Sequence, residues 1–136
     1  MNKIVAEETD NKVTQLRKGI LELAVMASLH RRSHYGYSLI RSLAGPGSFE
    51  IKEGTIYPIL ARLSREGLVR SEWVESSQGP PRKYYELTAA GRTACESLQA
   101  EFRRLVQLVE SAAGGSAPQP GPRSKKKIAI RRKENE

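Results

Sequence analysis

The feature that most limits the fold is an apolar seam in the last third of the chain. Between Thr88 and Val109 the residues Thr88, Gly91, Cys95, Leu98, Phe102, Leu105 and Val109 are spaced alternately by three and four. That is the repeat of a helix packed lengthwise against another helix. Thr88 can cap its start, and the pattern predicts a helix to Ser111. A small domain with such a seam needs a second helix to cover it, and a second copy of the chain is one way to supply it.

The residues before the seam set out a definite order of elements. Val13 to Leu29 reads as a helix, with Leu16, Ile20, Leu23, Ala24 and Ala27 on one face and Leu21, Val25 and Leu29 widening the stripe. A helix apolar nearly all round is buried on several sides, and one side is free for a partner subunit. A second helix is expected from Tyr35 to Leu43, capped by Ser33 and stopped by Gly45-Pro46-Gly47. Gly36 in its first turn implies a close approach by a neighbouring helix or a phosphate. A third helix runs from Gly54 to Glu66, with Ile56, Ile59, Leu60 and Leu63 inward and Pro58 bending its first turns. Leu68 to Glu75 and Arg82 to Leu87 read as two strands joined by Ser-Ser-Gln-Gly-Pro-Pro, a β-hairpin in which Tyr84 and Tyr85 face opposite ways. Trp73 is expected to pack within that hairpin.

Both ends look different. Residues 1–12 are polar and unpatterned and read as a flexible arm. Residues 112–136 begin with an Ala-, Gly- and Pro-rich stretch and end with Lys125, Lys126, Lys127, Arg131, Arg132 and Lys133, which reads as a disordered basic tail. The chain carries a net charge of +8. The segment from Ala112 on holds 7 Lys and Arg against 2 acidic residues, so most of the excess lies there. A basic balance favours a polyanionic partner, and the tail suits non-specific affinity for DNA. The single cysteine fits a reducing compartment, and the absence of a leader pattern or a long apolar run fits a cytoplasmic protein without a membrane partner.

Three helices, a hairpin and a last helix describe a mainly α fold with a β-hairpin wing. This is a winged helix-turn-helix over residues 13–87 followed by a C-terminal dimerisation helix over residues 88–111. In that arrangement the third helix enters the major groove, the second braces it, and the wing reaches backbone or minor groove. The chemistry suits the roles. Thr55, Tyr57, Arg62 and Arg65 lie off the apolar stripe of the third helix, where hydroxyls and guanidinium groups can bond phosphates and base edges. Gln78, Arg82 and Lys83 surround the wing tip, and His34 at the start of the second helix is placed to touch a phosphate. Leu16, Ile20 and Leu23 of the first helix, with Cys95, Leu98, Phe102, Leu105 and Val109 of the last, are the expected dimer contacts.

The sequence also resembles the PadR-like transcriptional regulators. The resemblance rests on Leu16-Arg17-Lys18-Gly19, Tyr35-Gly36-Tyr37, Glu53-Gly54-Thr55-Ile56-Tyr57-Pro58-Ile59-Leu60, Leu63 to Val69, and Arg82-Lys83-Tyr84-Tyr85-Glu86-Leu87-Thr88-Ala89-Ala90-Gly91. It implies a homodimeric repressor on an inverted-repeat operator, with the Gly54–Leu63 helix in the major groove and Gln78–Lys83 at the wing tip. Tyr35, Gly54 and Pro58 join the DNA-binding residues on this ground. A single C-terminal helix resembles the short subgroup, some of whose members take a small apolar or aromatic inducer between subunits. Here the last helix offers Phe102 and no Trp for stacking such a compound.

Enzyme chemistry is not indicated. The sequence has no paired-carboxylate motif, nucleophile elbow or phosphate-binding Gly-rich loop, and neither catalytic residues nor a cofactor are expected. His30, His34 and Cys95 have no zinc-ligand spacing, so no metal is expected. Two other readings use the same scaffold, a protein-interaction module and a non-specific DNA-binding protein without an inducer.

Overall fold

A computed structural model describes residues 3–44 and 51–114. The order is α1 (Lys3–Arg31), β1 (His34–Tyr35), α2 (Gly36–Ala44), α3 (Glu53–Arg65), β2 (Val69–Val74), β3 (Arg82–Leu87) and α4 (Ala89–Ala112). The mainly α fold with a β-hairpin wing is as the sequence implies. The chain divides into two compact units, residues 1–99 and the remainder from residue 100. The described part of the second unit is the outer portion of α4 and the turn after it.

α1 corrects the expected flexible arm: the helix starts at Lys3, ten residues before Val13. The physical reason is the absence of Gly and Pro before Gly19, together with Lys3/Glu7 and Glu8/Lys12 at the four-residue spacing that supports an exposed helix. Thr14 Oγ1 donates back to the Asp10 carbonyl at 3.0 Å. Residues 3–20 are exposed, and only beyond them does the helix enter the core, through Val25, Met26 and Leu29.

β1 is an element that the sequence did not announce. His34 and Tyr35 pair antiparallel with Tyr85 and Tyr84, so the hairpin is part of a three-stranded sheet in the order β1-β3-β2. α2 therefore starts at Gly36, after a short strand, and not from a Ser33 cap. Its expected stop at Gly45-Pro46-Gly47 lies outside the described residues, although the helix does end at Ala44.

α3 buries Ile56, Ile59, Leu60 and Leu63, the stripe expected of it. It tolerates Pro58, which has no amide to offer the Gly54 carbonyl. Its end is a Schellman motif: Leu68 N–H bonds the Leu63 carbonyl at 2.9 Å and Gly67 N–H the Ser64 carbonyl at 3.1 Å. Gly67 adopts φ +78°, the left-handed region that this turn requires.

The hairpin register pairs Val69 with Leu87, Ser71 with Tyr85 and Trp73 with Lys83 on one face. Arg70 with Glu86, Glu72 with Tyr84 and Val74 with Arg82 lie on the other. The first face is buried at its inner end, where Val69, Leu87 and Tyr85 meet the helices. Tyr85 is the core tyrosine of the pair and Tyr84 is half-buried.

Thr88 caps α4 as expected. Its Oγ1 accepts from Gly91 N–H at 3.0 Å and donates to the Gly67 carbonyl at 2.7 Å, which ties the helix start to the end of α3. Cys95 corrects the seam. It is fully buried in its own subunit's core, and burial pushes its thiol pKa up, so it remains a neutral thiol. Gly91 is buried too, because a Cβ there would lie 2.0 Å from the Leu68 carbonyl oxygen. The first turns of the seam thus serve the monomer, and the dimer expectation moves outward to the residues from Leu98 on.

Candidate nucleic-acid interface

The helical period sorts α3 into two faces. With Ile56, Ile59, Leu60 and Leu63 inward, Gly54, Thr55, Tyr57, Pro58, Ala61, Ser64 and Arg65 are left exposed. This is a continuous polar and small-residue strip along the outer side of the helix. Ala61 and Ser64 belong to it although sequence reasoning passed over them. Their signal was the spacing: Ala61 lies seven residues after Gly54 and four after Tyr57. A small residue on such a helix lets the backbone come close to a base edge or a thymine methyl.

Tyr57 is the residue of the strip that reaches α2. Its hydroxyl lies over Gly36, only 2.1 Å from where a Cβ on that glycine would stand. The close approach expected at Gly36 is therefore made by a neighbouring helix. α2 supplies exposed Tyr37, with the Arg41 guanidinium 5.8 Å from its ring centre, an aromatic–cation pair missed in the sequence.

Arg62 has a partner inside the subunit. Its Nη2 donates to Glu22 of α1 at 2.6 Å, and that hydrogen bond and charge hold the guanidinium still more firmly protonated. It borders the strip, half-exposed, and is tied towards α1. Glu53 adds a carboxylate to the first turn of α3, where it competes with any phosphate for the positive pole of the helix.

His34 is not a surface phosphate contact. It is 4% exposed, with Nδ1 2.9 Å from the Ser38 hydroxyl and Nε2 3.4 Å from that of Ser28. Burial lowers its pKa, with Arg32 and Arg31 adding to the effect, so the imidazole is neutral. The reason is β1, which pairs His34 with the core residue Tyr85. Tyr35 is half-buried on the opposite face, edge-on to Tyr84 at 5.5 Å.

In the wing, Arg82 lies over the Tyr35 ring at 4.5 Å, while Lys83 and Gln78 are exposed. Trp73 is a further correction: it does not pack into the hairpin but is 68% exposed. Strand alternation continues the core face out along β2 past the point where helices cover it.

Between α1 and α3 lies an open groove of about 670 Å³. Arg17, Lys18 and Glu22 form part of one wall, and Thr55, Pro58 and Ile59 part of the other. Leu16, Ile20 and Leu98 of the first unit are exposed, and Leu23 is half-buried. In the second unit Phe102, Leu105 and Val109 are exposed, as are Val106 and Leu108. Among the described residues no helix is long and apolar enough to cross a membrane, and no three His, Cys, Asp or Glu side chains gather as a metal site would require.

Known proteins share this arrangement. Residues 25–97 match the transcriptional regulator PadR-like family. A PadR-like transcription factor of Bacteroides fragilis is 40% identical, covering 75% of this chain and 98% of its own, with a TM-score of 0.64. A PadR family regulator of Eggerthella lenta is 34% identical over 81% of this chain and 96% of its own, with a TM-score of 0.68. The transcriptional regulator Rv3488 of Mycobacterium tuberculosis is 29% identical over 107 residues, 79% of this chain and 95% of that protein. With the helix-turn-helix, the wing and the last helix all in place, the chain belongs to the PadR-like family of transcriptional regulators, which bind DNA.

Proposed function

We propose that this regulator is a dimeric repressor that reads an inverted-repeat operator through α3 and is released by a small molecule. One observation carries the DNA-reading half. The exposed strip from Gly54 to Arg65 is continuous, with Tyr57 lying over Gly36 of α2, a helix that also carries exposed Tyr37 and Arg41. Hydroxyls, a small residue and cations in that order suit base edges at the centre and phosphates at the margins.

The dimer rests on apolar surface. Leu16 of α1 is 71% exposed, and Leu98, Phe102, Leu105 and Val109 of α4 are 44%, 38%, 48% and 65% exposed, apolar side chains that a partner subunit would cover. An inverted repeat would require such a second copy to present the two α3 helices about one helical turn of DNA apart. The groove beside α3 gives an inducer a lever. A ligand wedged between α1 and α3 shifts the recognition helix directly and so acts by its different affinity for the two states. Family likeness suggested the subunit interface for such a ligand, and the groove is an alternative within one subunit.

The experiment is a selection of duplexes from a randomised pool by the full chain, followed by titration of the winner with wild type and Tyr57→Ala. A palindromic winner bound two chains to one duplex, and weakened roughly 5- to 150-fold by the substitution, supports the reading. A pool that stays random at physiological salt overturns it.

A further inference from the structure

We propose that Trp73 and Lys83 form a minor-groove probe on the wing that favours A·T over G·C pairs beside the bases read by α3. This deepens the DNA-binding reading above and rests on it.

Trp73 is the chain's only tryptophan, and 68% of it is exposed on an edge strand. It is not alone there. Its register partner is Lys83, whose ammonium lies 5.7 Å from the indole centre and 5.9 Å from the Tyr85 ring. Lys83 is thus held between two aromatic rings on one face of the hairpin. Tyr85, on the same face, packs in the buried core with Ile56, Ile59, Leu60 and Leu63 of α3. Trp73 and Lys83 are therefore the outer, uncovered end of the hairpin face whose inner end packs against α3. The opposite face is committed elsewhere: Arg82 lies over Tyr35, Tyr84 meets Tyr35 edge-on, and Arg70 pairs with Glu86 at 2.7 Å.

The donor inventory sets the preference. An indole N–H and an ammonium only donate; neither accepts. In the minor groove an A·T pair in either orientation offers only acceptors, whereas a G·C pair adds the guanine amine, a donor. A donor-only pair meets two acceptors at A·T and an unmatched donor at G·C. A·T runs also narrow the groove and deepen its negative potential, which favours the ammonium again.

Inosine makes the test decisive. An inosine·C pair keeps the major-groove edge of G·C but lacks the minor-groove amine. Using a duplex selected by the full chain from a randomised pool, the pairs under the wing are set to A·T, inosine·C or G·C. Binding is read by anisotropy of the labelled duplex. The expected result is equal affinity for A·T and inosine·C, each about tenfold tighter than G·C. Trp73→Phe, which keeps a ring but removes the N–H, lowers that ratio below about threefold. Because the indole is unique, its fluorescence reports on the same contact. Quenching by acrylamide, a neutral agent that DNA does not repel, falls when the duplex binds.

Equal affinity for all three pairs overturns the proposal. So does inosine·C behaving as G·C, which moves the readout to the major groove. Full binding by anisotropy with unchanged quenching also overturns it, and each of these outcomes leaves α3 as the reader. Protection of the indole by raised protein concentration alone assigns the face to a second copy and overturns it as well. A pool that yields no preferred duplex removes the α3 reading itself, and this proposal with it.

Discussion

Two glycine-to-alanine substitutions with nearly the same clash are expected to fail in opposite ways. At Gly36 a new Cβ meets the Tyr57 hydroxyl at 2.1 Å and ring atoms at 2.7 and 2.8 Å. At Gly91 it meets the Leu68 carbonyl oxygen at 2.0 Å and its carbon at 3.0 Å. The obstacle at Gly36 is the far end of a half-exposed side chain, which can swing into solvent. The swing costs about 0.5–1.5 kcal/mol in rotamer strain, and alanine returns up to about 1 kcal/mol of helix propensity. Net stability should therefore change by less than about 1.5 kcal/mol. DNA binding should not escape so lightly, because Tyr57 leaves the strip: the expected loss is about 1–3 kcal/mol, or roughly 5- to 150-fold in Kd. At Gly91 the obstacle is backbone, and the same carbonyl already accepts from Thr88 N–H at 3.0 Å. No rotamer relieves it, so Gly91→Ala should cost about 3 kcal/mol of stability. Urea unfolding and duplex anisotropy at fixed salt measure both variants. A Gly36→Ala protein that is strongly destabilised, or one that binds the selected duplex as well as wild type, would refute the reasoning about Tyr57.

Three further outcomes follow from named contacts. His34 is held neutral in the fold while an unfolded imidazole takes a proton near pH 6.5, so stability is full above that value and is lost as pH falls below it. His34→Gln should flatten that fall in urea titrations between about pH 7 and about pH 5, and an unchanged slope would assign it to other groups. Glu22→Gln should strengthen duplex binding by about two- to fivefold, since it removes a carboxylate and frees Arg62; weaker binding would mean that the pair positions α3. On the proposal that α4 pairs two copies, Phe102→Glu should leave monomers in sedimentation where wild type sediments as a dimer, and abolish operator binding with it; a wild-type monomer, or a variant that stays dimeric, would contradict that assignment.

Periodic patterns were legible in the sequence, and what depends on long-range pairing was not. The inward stripe of α3 and the span of β3 follow from local spacing, and so does the Thr88 cap. β1 did not follow, because two residues carry no period and form a strand only when β3 passes beside them. That omission also misplaced His34, which looked like a helix-start phosphate ligand and is a core residue. The arm at residues 3–12 was misjudged because an exposed helix shows no apolar stripe, and its supporting signal is charge spacing. Cys95 illustrates a further limit. A heptad seam states that a helix packs, without saying whether its neighbour belongs to the same copy, and here the first turns pack at home. Trp73 was assigned to packing by residue type, although its place past the end of the covered sheet leaves it in solvent.

The measurement closest to the central claim is duplex binding by the full chain, comparing the DNA upstream of its own coding sequence with a scrambled duplex at two salt concentrations. A sequence-reading regulator keeps its preference for the upstream duplex at the higher salt, because base contacts survive when phosphate contacts are screened, and loses that preference in Tyr57→Ala. Equal binding to both duplexes, falling together as salt rises and indifferent to Tyr57, would contradict the account and leave only non-specific attraction to DNA.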